Sequence, residues 1–180
     1  LYGSHLIDSI RKIDNDSIFY CWGGPYIRSR NVEIIRGLDK LSFMGFYEVF
    51  KNIFTVLYNL RLIKKELKLK RPNCIILIDY PGFNLRVAKY AKNLKIPVFW
   101  FVAPQTWAWK ESRVKLLEKY VNRLYVILPF EKKYFSSKNI NTEYFGHPLL
   151  EIINKSTITT IDRKKIILLC PGSRKQEIRS

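Results

Sequence analysis

The stretch Cys74-Ile75-Ile76-Leu77-Ile78-Asp79-Tyr80-Pro81-Gly82-Phe83-Asn84, continued by Leu85–Leu94 and Val98–Val102, decides the fold. Cys74–Ile78 is a short, unbroken apolar run, closed by the turn signal Pro81-Gly82. Leu85–Leu94 is amphipathic, with Arg86, Lys89 and Lys92 recurring every third residue and Lys95 just beyond. Val98–Val102 is a second apolar run of strand length. Two buried strands joined by a crossover helix form a βαβ unit, and such strands lie parallel.

Working outward, the alternation continues. Apolar runs at Ile18–Trp22, Val32–Ile35, Leu124–Leu128, Tyr144–Phe145 and Ile166–Cys170 alternate with amphipathic segments at Gly3–Ile13, Gly45–Lys70, Ser112–Tyr120 and Phe130–Ser136. This predicts an α/β fold with a doubly wound parallel sheet covered on both faces. Asn154–Lys165 is polar and aperiodic, which reads as a linker. One strand cannot bury both faces alone, so Ile166–Cys170 reads as the first strand of a second α/β domain. The expected organisation is a first domain over residues 1–153, a linker over 154–165, and the beginning of a truncated domain over 166–180. Leu1 opens inside a helical pattern without an initiator Met, so the start of the first domain is expected to be missing.

The 180 residues are 47% hydrophobic and 26% charged, with eight Gly and eight Pro, which excludes collagen-like, mucin-like and low-complexity chains. The net charge of +17 demands an anionic counterpart: nucleic acid, phosphorylated small molecules or an anionic membrane. Cys21, Cys74 and Cys170 are odd in number and widely spaced, each in an apolar run. They read as buried core residues of a reducing compartment, and no metal-binding spacing is present. Arg61–Arg71 carries six Lys or Arg against Glu66, the pattern of a solvated helix face. Upstream, Leu41–Leu60 is densely apolar but interrupted by Glu48 and Lys51, which argues against a membrane-spanning helix. It reads either as a core helix or as an interfacial helix whose Phe50 and Phe54 enter lipid while Lys64 meets head groups.

Four strings at predicted strand ends could carry chemistry. Asp79 stands where a doubly wound sheet presents ligands; it can take a proton from a substrate hydroxyl, or it can brace the loop. Asn84 is placed to cap the helix that follows. Pro171-Gly172-Ser173-Arg174 lies between a strand and an incipient helix, where Gly172, Ser173 and Arg174 could hold phosphate through backbone N–H groups and a guanidinium. Gln105-Thr106-Trp107-Ala108-Trp109 places two Trp in one loop, either as a packed lid or as a cleft wall facing a sugar or acyl chain. Gly146-His147-Pro148 closes the last strand of the first domain, with His147 structural or a hydrogen-bond donor near the cleft. Only two His are present, which gives little support to a Ser-His-Asp triad or a zinc site.

Taken in order with Tyr2-Gly3-Ser4-His5-Leu6, Gly23-Gly24-Pro25, Met44–Val49 and Leu128-Pro129-Phe130-Glu131-Lys132, these strings resemble the lipid-A-disaccharide synthase family, inverting glycosyltransferases of the GT-B fold. The resemblance spans nearly all of the chain, and its most specific parts are the Trp-Ala-Trp loop and the Leu-Pro-Phe-Glu string. It implies the Rossmann-like N-terminal half of a GT-B enzyme. The implied reaction moves 2,3-diacylglucosamine from UDP to the 6-hydroxyl of 2,3-diacylglucosamine 1-phosphate, giving a β-1,6 disaccharide and UDP. By the resemblance, Asp79 is the general base, Arg174 with Gly172 and Ser173 serves the UDP phosphates, and Asn84, Gln105, Trp107 and His147 line the acceptor cleft. No cofactor and no metal are implied. The implied setting is the cytoplasmic face of a Gram-negative inner membrane, bound peripherally. The chain departs from the pattern at Gly82, where many relatives carry Asp, and the family's early Gly-Glu-x-Ser-Gly-Asp loop does not occur. Residues 1–180 alone are therefore expected to be inactive. Two other readings stay open: another GT-B enzyme acting on a lipid-linked acceptor, and a basic nucleic-acid-binding module, against which no RNA- or DNA-binding motif is present. A lipid-binding scaffold follows if Asp79 only braces its loop.

Overall fold

The computed structural model describes residues 2–37, 53–108 and 111–154. Calls on Phe50, residues 45–52 of Gly45–Lys70, Trp109, Cys170, most of the 154–165 linker and the 166–180 strand and loop, including Gly172, Ser173 and Arg174, lie outside them.

The elements run α1 (Tyr2–Ile13), β1 (Tyr20–Gly23), α2 (Pro25–Arg28), β2 (Glu33–Gly37), α3 (Ile53–Lys70), β3 (Ile75–Ile78), α4 (Pro81–Asn93), β4 (Val98–Phe101), α5 (Ser112–Tyr120), β5 (Arg123–Val126), α6 (Pro129–Ser136), β6 (Thr142–Tyr144) and α7 (Pro148–Asn154). All strand pairs are parallel, as the βαβ reading requires. The ladder is divided: β1–β2 forms a pair of its own, and β3-β4-β5-β6 forms a four-stranded sheet in chain order. Side chains bridge the division, with Trp22 of β1 against Phe83 of α4 at 6.0 Å between ring centroids.

The core lies on the central strands. Val98 and Trp100 of β4 and Leu124 of β5 are fully buried, while Phe99, Phe101 and Tyr125 on the opposite face are half-buried, so neither face is open to water. Val87, Ala88 and Ala91 of α4, with Val114 and Leu117 of α5, complete the cluster. The small Ala88 and Ala91 let α4 lie close to the sheet, and α3, α4 and α5 pack side by side.

Two expectations are corrected. Cys74 is exposed and Cys21 only half-buried, so neither is a buried core residue. Cys74 precedes β3 rather than lying in it and escapes the burial its apolar neighbours receive. Asn84 does not cap α4: the N-cap position is Tyr80, and Asn84 sits one turn inside the helix with its amide turned back toward the strand.

Candidate functional site

Parallel strands in sequential order bring all of their carboxyl ends to one edge of the sheet. Here that edge gathers Asp79 after β3, the 102–108 loop after β4, Leu128–Glu131 after β5 and Gly146-His147 after β6. Residues almost 70 positions apart in the chain thus stand in one row, and the Asp79, Gln105–Trp107 and Gly146-His147 strings of the sequence reading fall on it.

Asp79 is solvent-exposed. Its backbone N–H donates to the Phe101 carbonyl at 3.1 Å, which extends the β3–β4 ladder by one step. Beyond that bond the chain turns sharply, with φ of 49° at both Asp79 and Tyr80. Asn84 holds the turn: its Nδ2 donates to the Asp79 carbonyl at 2.6 Å and to the Ile78 carbonyl at 3.3 Å. Tyr80 stacks on Phe83 at 5.8 Å, and burial pushes its phenol pKa up. A third left-handed residue, Val102 at φ 64°, follows β4. Its carbonyl accepts the indole N–H of Trp100 at 3.2 Å, and its own N–H donates to the Tyr125 carbonyl at 3.1 Å. Left-handed backbone at a β-branched residue costs energy and persists only where surrounding bonds fix it.

Trp107 belongs to the loop after β4. Its Nε1 donates to Glu131 Oε1 at 3.1 Å, and its ring meets Phe130 edge to face at 5.0 Å between centroids. Glu131 is 1% exposed and also accepts the Leu128 and Ile127 N–H groups at 3.0 and 3.3 Å. The sequence reading quoted Glu131 only as part of a motif. The available signal was its place three residues after the N-cap Leu128, the spacing at which a Glu reaches back to a helix start. Gln105 is exposed in the same loop. His147 is half-buried, and its Nδ1 accepts the Leu149 N–H at 3.1 Å, which makes it the N-cap of α7.

Among the described residues no three His, Cys, Asp or Glu side chains converge as a metal site requires. No helix among them is long and apolar enough to cross a membrane.

A parallel α/β layer that lines up an exposed carboxylate, an aromatic loop and a histidine-capped helix on its strand ends defines a Rossmann-like domain. A family model described as lipid-A-disaccharide synthetase matches residues 1–180, and the chain belongs to that family. It is 35% identical to the lipid-A-disaccharide synthase of Coxiella burnetii (strain CbuK_Q154), over 99% of this chain and 50% of that protein. Identity is 36% to the synthase of Syntrophotalea carbinolica, over 99% of this chain and 48% of that protein. It is 32% to that of Syntrophus aciditrophicus, over 99% and 49% respectively. The chain thus spans about half the length of these curated relatives. The family found is the one that the motif strings resemble.

Proposed function

We propose that this chain forms the acceptor-binding half of an inverting glycosyltransferase of lipid A assembly, acting within a protein of its relatives' length. The reaction joins 2,3-diacylglucosamine, carried on UDP, to the 6-hydroxyl of 2,3-diacylglucosamine 1-phosphate. The observation that carries the reading is the exposed Asp79 carboxylate on a turn that β4 and Asn84 hold in place. In an inverting transfer the acceptor hydroxyl gives its proton to one base as its oxygen bonds to the anomeric carbon. The bond from that carbon to the UDP oxygen breaks on the opposite face, and the pair of electrons leaves with UDP. Arg174 and the backbone N–H groups of Gly172 and Ser173 are assigned to the charge developing on the phosphate. Asp79→Asn in the intact protein tests the assignment: UDP release should fall by about a thousandfold while substrate binding persists. Near-normal turnover would refute it.

The same proposal places the protein peripherally on an anionic membrane, at the cytoplasmic face where the lipid acceptor sits. Helix α3 supports this with Ile53, Phe54, Leu57 and Tyr58 exposed on its first turns and Arg61, Lys64, Lys65 and Lys68 further along. Arg86, Lys89 and Lys92 on the neighbouring α4 add to the basic surface, and Lys64 stands over the Tyr90 ring at 5.2 Å. No carboxylate among the described residues forms an ion pair with any of these cations. Sedimentation with vesicles should rise with anionic lipid content and fall in Phe54→Ser and Lys64→Glu proteins. Binding indifferent to lipid charge would count against it.

A further inference from the structure

We infer that Glu131 is a positioning residue whose buried carboxylate fixes the indole of Trp107 as a wall of the acceptor cleft, a role that rests on the transferase reading above. Two of its three hydrogen bonds, to the Ile127 and Leu128 N–H groups, are those of a helix-capping Glu. Capping alone does not account for a carboxylate that is 1% exposed with no cation paired to it among the described residues. A buried carboxylate is costly unless its oxygens find hydrogen-bond donors. The third bond supplies the reason. It comes from Trp107, 24 residues earlier, and an N–H donor to a carboxylate makes a stronger and better-aimed bond than one to a neutral acceptor. Phe130, next to Glu131 on the same helix, holds the ring edge to face. The indole is therefore held at its nitrogen by Glu131 and packed against Phe130, both at one helix start, although it belongs to the loop of another strand.

A tryptophan serving only the core would be covered, as Trp100 is at 0% exposure. Trp107 is held as firmly yet remains 39% exposed, on the edge where Asp79 and His147 also stand. A rigid, exposed aromatic ring on the same sheet edge as an exposed carboxylate is suited to the apolar face of a sugar ring or the first methylenes of an acyl chain. Ordering it before the ligand arrives removes an entropic cost from binding.

The test uses the intact protein labelled with ¹⁵N at tryptophan, with Trp107→Phe identifying the Trp107 indole signal. In Glu131→Gln the amide keeps the shape but loses the charge and turns an N–H donor toward donors. The Trp107 indole proton should move upfield, the other indole signals should stay, and KM for the acceptor should rise about tenfold with kcat nearly kept, the signature of lost uniform binding. Trp107→Phe, which leaves the two backbone bonds of Glu131 in place, should give the same rise in KM; it carries the kinetic test alone if Glu131→Gln fails to fold. An unmoved Trp107 signal in folded Glu131→Gln, or an unchanged KM in either variant, overturns the inference. A wild-type protein with no transferase activity removes the acceptor role and the functional reading together, while the indole shift still reports whether the carboxylate grips the ring.

Discussion

Replacing Asn84 with alanine probes the turn that presents Asp79. The amide makes two hydrogen bonds, at 2.6 and 3.3 Å, to consecutive carbonyls at the end of β3, and Asn84 is 9% exposed. A net ~1 kcal/mol for each bond, with part of the desolvation penalty of the abandoned carbonyls, gives a loss of about 2–3 kcal/mol. For a chain of this size each kcal/mol moves Tm by roughly 2–4 °C, so calorimetry should find a fall of about 5–10 °C. The consequence for turnover follows from the backbone. Asp79 and Tyr80 both hold φ of 49°, and a turn without its brace relaxes toward the right-handed region, carrying the carboxylate with it. A displacement near 1 Å is enough to lower kcat by tenfold or more. Asn84→Asp sharpens the test, because it places a carboxylate against two carbonyl oxygens. That acid should have a raised folded pKa, so its penalty is absent below the unfolded value and complete above the folded one. At pH 7 Asn84→Asp should therefore be less stable than Asn84→Ala, and it should recover as the pH falls. A Tm within about 2 °C of wild type for Asn84→Ala, or an Asn84→Asp protein as stable as wild type at pH 7, would refute the reasoning.

Gly82→Ala, at the second position of α4, adds a methyl that meets nothing within 4 Å, so denaturant unfolding should show a gain of about 0.5–1 kcal/mol; a loss would contradict the helical placement. The hydrogen bond from Arg30 holds the Asp8 carboxyl below the usual aspartate value. Its stabilising contribution is present above the unfolded pKa and is lost as pH falls through the folded one, so NMR titration should find Asp8 shifting upward in Arg30→Gln. Leu124→Ala, at a fully buried site of β5, should cost about 2–5 kcal/mol in unfolding experiments, and a cost below 1 kcal/mol would mean that β5 is not central to the core.

Periodicity located most elements to within a few residues, because buried strands and amphipathic helices differ in the spacing of their apolar side chains. Ser112–Tyr120 matches α5 at both ends. The misses have local causes. The run Leu124–Leu128 overshoots β5 because the Ile127 and Leu128 N–H groups turn to the Glu131 carboxylate instead of a neighbouring strand. Val102 looks like a strand residue and instead adopts a left-handed φ of 64°, which no propensity of a β-branched side chain could announce. Helix α4 begins at Pro81 rather than Leu85, and proline at the first helical position was the unused signal. Short α2 and α7, which also open on proline, went unread for the same reason. Phe145 counted as apolar strand and lies 83% exposed just past β6. At the candidate site, strand-end position made Asp79, Trp107 and His147 legible. What stayed hidden was the bonding between loops, since nothing in the linear order joins Trp107 to Glu131.

The sequential order β3-β4-β5-β6 also sets a length. With neighbouring strands about 4.8 Å apart, the row from the end of β3 to the end of β6 extends roughly 14 Å. A lone monosaccharide can sit against one or two of these termini but cannot span them all. Only an elongated molecule, branched or tailed, would sense every turn at once, so progressively trimmed analogues should forfeit their grip one strand at a time.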